Sequence, residues 1–180
     1  IDLTNLSASN LTSGTIPTTR ITALPAGVGG KVLQVVQTVI TTAQALSTST
    51  TKIDLPSYTV AITPSSSSSK VLVSWKIMYS NSSGDAHQLY LNRNTTEIGI
   101  GTTGSIGNQA TIALLTANSN NYWGFEAGGE FLDSPSTTSA TTYKFQINTQ
   151  ANYTCYFNRT GRGNADGSYV STMTATEIGA

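Results

Sequence analysis

Between Val71 and Tyr79 apolar and other residues alternate: Val71, Val73, Trp75, Ile77 and Tyr79 fall on one face, with Leu72, Ser74, Lys76 and Met78 on the other. That period of two predicts a half-buried strand. Tyr143, Phe145 and Ile147 repeat the pattern, and so do Tyr153, Cys155 and Phe157. Lys31 to Thr41 is rich in β-branched residues, which suit a pleated surface. Further strands are expected at 52–55, 58–63, 86–93, 96–101, 111–115, 122–126, 130–133 and 169–178. Turn clusters separate them at 64–69, 81–85, 101–107, 118–121, 128–129, 134–140 and 161–168, each rich in Ser, Gly, Asn or Pro. About ten short strands with no helical period predict an all-β, antiparallel β-sandwich or jelly-roll-like head over 31–180.

Residues 1–30 follow another rule. Leu3, Leu6, Leu11, Ile16, Ile21 and Leu24 stand singly among short polar residues, and Pro17 and Pro25 interrupt any helix or strand. One copy cannot bury these side chains, whereas three copies about a common axis can. The expectation is an extended N-terminal stalk or docking segment; a plain linker is the alternative. The segment has no basic stretch followed by an apolar core, so it does not read as a signal peptide.

Composition narrows the function. The 180 residues carry 9 basic and 9 acidic side chains and no net charge, so there is no electrostatic footprint for nucleic acid. No apolar run approaches the roughly 20 residues that span a bilayer, and no membrane insertion is expected. One Cys and one His do not make a zinc site of the usual types, and no cofactor is expected. Thr and Ser together occupy 52 positions; with so few charges, solubility rests on hydroxyls and amides. Charged gatekeepers on sheet edges are scarce too, which favours self-association through closed symmetry.

Candidate chemistry is sparse. His87 reads as a residue at a strand start, not a member of a triad. Glu126, Glu130 and Asp133 are the densest acidic group, and paired carboxylates are what flanks a glycosidic bond in a glycosidase. Glu126 and Glu130 straddle Gly128-Gly129, however, and read as the two arms of a hairpin. Asn164, Asp166 and Gly167 read as a turn, without the acidic ligands of a calcium loop. Six Asn-x-Ser/Thr sequons occur, at Asn5, Asn10, Asn81, Asn94, Asn152 and Asn158. Two loops hold the binding candidates. Asn120, Asn121, Tyr122 and Trp123 put aromatic faces beside amides, a pairing suited to sugars; the plainer account sends Tyr122 or Trp123 into the core. Arg159 and Arg162 lie in a long Gly-rich loop, which reads as either a recognition loop or a polar hairpin tip.

Several strings carry a resemblance. Ser9 to Ile21, with its Asn-Leu-Thr-Ser-Gly-Thr run followed by Ile16, Pro17 and Arg20, resembles segments of bacteriophage tail fibres and related appendages. Gly30 to Gln37, Phe131 to Pro135, Thr141 to Gln146 and the terminal Thr176 to Ala180 resemble the compact β-domain of marine phage virion proteins. The resemblance implies a homotrimeric fibre or decoration protein on the surface of a virion, its N-terminal segment docked to other virion proteins and its head able to reach host surface glycans. It carries no catalytic residues. A capsid decoration protein without a receptor role and a polysaccharide-cleaving enzyme of a virion appendage are the alternatives.

Overall fold

A computed structural model describes residues 31–47, 50–81, 87–102, 109–114, 123–149, 154–162 and 167–179. The stalk positions Leu3, Leu6, Leu11, Ile16, Ile21 and Leu24 lie outside them. The described chain forms β1 (Val32–Ile40), β2 (Gln44–Ser47), β3 (Ile53–Ile62), β4 (Lys70–Asn81), β5 (His87–Arg93), β6 (Thr96–Ile98), β7 (Ile112–Leu114), β8 (Phe125–Asp133), β9 (Thr141–Thr149), β10 (Thr154–Phe157) and β11 (Ser171–Ile178). All the pairings are antiparallel.

The front sheet runs β1, β11, β4 and then β8, with β10 and β2 continuing the β11 and β1 lines along the far end of β4. The back sheet runs β3, β9, β5, with β6 and β7 end to end along the last. With collinear pieces merged, the chain visits its strand lines in the order of a jelly roll: first, eighth, third and sixth in front; second, seventh, fourth and fifth behind. The predicted all-β sandwich is therefore the fold.

The core lies between the sheets. Val71, Val73, Trp75, Ile77 and Tyr79 of β4 face Tyr143, Phe145 and Ile147 of β9, and all are buried, as the alternation predicts. Trp75 meets Phe145 edge-on, with ring centroids 5.2 Å apart. Burial of these large side chains, at about 25 cal/mol per Å² of apolar surface, is the main force holding the sheets together. At one end, Arg93 Nη1 donates to Asp133 Oδ1 at 2.9 Å and the Tyr143 hydroxyl donates to Asp133 Oδ2 at 2.7 Å, bolting β8 to β5 and β9.

Three local expectations are corrected. Gly128-Gly129 is not a hairpin turn: β8 is continuous, with Gly129 opposite Trp75 and Gly128 opposite Lys76. A Cβ on Gly129 would stand 2.7 Å from Cζ2 of Trp75, so the glycine marks a close approach by the indole. The segments 52–55 and 58–63 are one strand, β3, whose register shifts between Asp54 and Thr59 around Pro56 and Ser57 (φ 68°). As an edge strand, β3 tolerates Pro there. Finally, the last strand starts at Ser171 and not at Tyr169, because the chain makes an excursion before rejoining the sheet.

The outer faces of the sheets differ. On the back sheet, Lys144 Nζ donates to Asp54 Oδ2 at 2.7 Å and Gln146 Nε2 donates to Asp54 Oδ1 at 2.8 Å. Lys52 pairs with Glu97 and lies 3.8 Å from the centre of the Tyr90 ring. The front sheet instead presents Thr172, Thr174 and Thr176 between the aliphatics of β1 and β8.

Candidate aromatic and arginine rim

The front sheet builds its most distinctive feature where β10 ends. β11 pairs with β4 as far as Lys76, and β10 pairs with it from Tyr79. Between those points the chain could run straight on; instead it leaves after Phe157 and returns at Ser171. Asn158 holds the gap shut. Its backbone N–H donates to Met78 O at 3.0 Å, and its carbonyl accepts from Tyr169 N–H at 2.9 Å. Its Nδ2 donates to Ile40 O at 2.9 Å and Thr42 O at 3.2 Å, while Oδ1 accepts from Ser171 Oγ at 2.6 Å. Ser171 Oγ also accepts from Met78 N–H and from the Tyr58 hydroxyl. Asn158 takes up this role at φ 56°, a left-handed conformation that Asn accepts more readily than most residues.

Outside the clasp, Arg159 bridges to Ser168 and its guanidinium lies 4.9 Å from the centre of the Tyr156 ring. Tyr169 packs against Gly124: a Cβ there would sit 3.2 Å from Cε2 of the ring. The base of the excursion therefore abuts the start of β8. Trp123, next to Gly124, is 62% exposed; the expectation that it enters the core fails for this residue. It stands two residues before β8, which lies at the outer edge of the front sheet. Arg162 is exposed as well. Asn120, Asn121 and Tyr122 lie outside the described residues. Tyr156, Tyr169 and Gly124 were not singled out in the sequence, because nothing in their spacing announces that distant loops share one end.

The described residues of this rim offer an exposed indole, a tyrosine ring and guanidinium groups. Such groups stack on flat apolar faces and donate hydrogen bonds to oxygens. It stands level with Ile40 and Met78, where β11 gives way to β10 along β4. Lys31, where the head begins, is at the other end of β1, roughly 27 Å away along the strand.

The remaining candidates disperse. Glu126 and Glu130 share the outer face of β8 but stand four residues, about 13 Å, apart, beyond the roughly 5–9.5 Å that separates glycosidase carboxylates. Glu126 faces Lys76 at 3.7 Å. Asp133 turns inward to Arg93 and Tyr143. His87 is buried at the start of β5. The Cys155 thiol is buried, donates to Asn81 Oδ1 at 3.1 Å and is pushed well above the usual thiol range by that burial, so it is no nucleophile. Among the described residues, no three His, Cys, Asp or Glu side chains converge as a metal site requires. Of the sequon residues described, Asn81 and Asn158 are buried and Asn94 is exposed. No protein-family model matches the chain, and no curated protein matches it.

Proposed function

We propose that this chain is a non-enzymatic virion structural protein, a homotrimeric fibre whose jelly-roll head attaches to host surface glycans. The supporting observation is the rim: an exposed Trp123 next to Gly124, which packs on Tyr169, with the Asn158 clasp level with the end of β1 opposite Lys31. A fibre head needs its receptor groups away from the residue at which it begins, and the clasp and Lys31 lie toward opposite ends of β1. The jelly roll is used by viral capsid and lectin domains alike, which supports the reading by analogy alone. A shallow rim binds one sugar weakly; three linked rims gain by avidity.

The test is host-cell or glycan-surface binding by the full chain. Trp123→Ala is expected to abolish binding and leave the thermal unfolding curve in place; undiminished binding removes the rim from consideration. Light scattering checks the assembly, and a stable monomer would sink the fibre reading. A decoration protein without a receptor role predicts trimers that bind no host surface.

A further inference from the structure

Four cations of the head pair with carboxylates: Lys52 with Glu97, Lys76 with Glu126, Arg93 with Asp133 and Lys144 with Asp54. Arg159 is held differently. It is half-buried, and its guanidinium lies over the half-buried ring of Tyr156. Cation–π attraction positions the charge there, but a ring gives the N–H groups no oxygen. Nε is enclosed by the protein without an acceptor, and among the described residues no oxygen accepts from the guanidinium. A donor buried without a partner costs stability, and in native structures such a group calls for an explanation, a missing ion among them. The backbone fixes the residue in place: Arg159 bridges to Ser168, and Tyr169, next in the chain, packs on Gly124. The guanidinium is thus part of the rim, at the base of the excursion.

We propose that Arg159 is the anion-recognition residue of this rim, and that the glycan taken there is acidic, its oxyanion group accepting from the terminal nitrogens of Arg159. The inference rests on reading the rim as a glycan site. The planar fork of a guanidinium matches a carboxylate, sulfate or phosphate, and bonds to such a group are roughly twice as strong as those to a neutral hydroxyl. Glu126 is the nearer of the two outer carboxylates of β8, opposite Met78, whose carbonyl accepts the Asn158 N–H. Its partner is Lys76, so it does not answer Arg159. The whole chain has no net charge, so a polyanion gains little from general attraction and must be met locally.

The test is binding of the full chain to matched surfaces: polygalacturonate against its methyl ester, and dextran sulfate and dextran phosphate against dextran. Wild type is expected to bind at least one acidic polymer ten-fold or more tightly than its neutral counterpart, and the pair that shows it identifies the anion. Arg159→Gln should remove that preference. Lys144→Gln, the same loss of charge on the back sheet, should keep it. A preference that survives in Arg159→Gln, or no preference in any pair, overturns the proposal. Host-cell binding that is lost in Trp123→Ala would then still leave the rim a glycan site, whereas no host-cell binding by wild type overturns both. NMR of the wild-type protein removes any dependence on how the variant folds. The side-chain Nε–Hε resonance of Arg159, assigned by its absence in Arg159→Lys, should move on adding galacturonate, sulfate or phosphate and stay in place with methyl galacturonate. A resonance that none of the three anions moves overturns the assignment.

Discussion

The Ser171 hydroxyl donates to Asn158 Oδ1 at 2.6 Å and closes the excursion between β10 and β11. Through that pair the amide of Asn158 reaches two backbone carbonyls, and the hydroxyl of Ser171 accepts from Met78 N–H and Tyr58. Asn158→Ala should lower stability by about 3 kcal/mol, because buried carbonyls and a hydroxyl lose their partners and Ala is strained at φ 56°. Asn158→Gly relieves only the backbone and should fall between the two. Urea unfolding gives the order; equal stability of all three would remove the clasp's role.

Gly128 and Gly129 sit side by side in β8 yet should respond in opposite ways to one methyl group. Gly129→Ala drives Cβ into the Trp75 indole at 2.7 Å and should cost about 1–3 kcal/mol through overpacking. Gly128→Ala meets its nearest atoms at 3.6 and 3.7 Å, ordinary contact, and should stay within about 0.5 kcal/mol of wild type. Thermal melts of the two variants make the comparison.

Glu177 supplies the acid dependence. It is buried in β11, where Gln34 Nε2 donates to it at 2.6 Å and both Ser65 N–H and Ser65 Oγ donate at 2.7 Å. Burial alone would raise its pKa, but these hydrogen bonds outweigh it and bring the carboxyl down to about 2 from an ordinary 4.5. The folded value lies below the unfolded one. Its stabilisation is therefore complete above about pH 4.5 and lost as pH falls through about 2. Wild type minus Glu177→Gln, followed as melting temperature against pH, should shrink across that window; a constant difference would contradict the assignment.

The three carboxylates of β8 should separate cleanly. Asp133→Ala strands the partly buried Arg93 guanidinium and the buried Tyr143 hydroxyl, and should cost about 3 kcal/mol. Glu126→Gln and Glu130→Gln, on the exposed outer face, should change stability by less than about 0.5 kcal/mol. If Glu130→Gln instead stopped the release of shorter glycans from host polysaccharide, the non-enzymatic reading would fall.

The sandwich was legible because burial leaves a period of two wherever one face is wet, as from Val71 to Tyr79. It became illegible where one residue type serves two purposes. A Gly pair announces a turn and a close approach with the same letters, and only Trp75 opposite Gly129 decides between them. The strands expected separately at 52–55 and 58–63 are one edge strand, whose register shift takes in Pro56. The rim was half legible: Trp123, Arg159 and Arg162 stood out by type, but their common location depends on Gly124 meeting Tyr169, 45 residues on in the chain. The clasp left no local mark, since Asn158 reads as one more turn asparagine until Ile40 and Thr42 arrive beside it.

The register of β1 against β11 also fixes how the head bears force. Val32 faces Ile178 and Ile40 faces Ser171, so Lys31 and the rim lie at opposite ends of this ladder. Tension applied at the rim and resisted at Lys31 pulls β11 and β1 lengthwise in opposite directions. That is shear, in which the hydrogen bonds of the ladder share the load and must yield together. Tension between Lys31 and Gly179, at the same end, would peel the pair apart one rung at a time. The same β-ladder is therefore mechanically strong along the line from rim to Lys31 and weak across it.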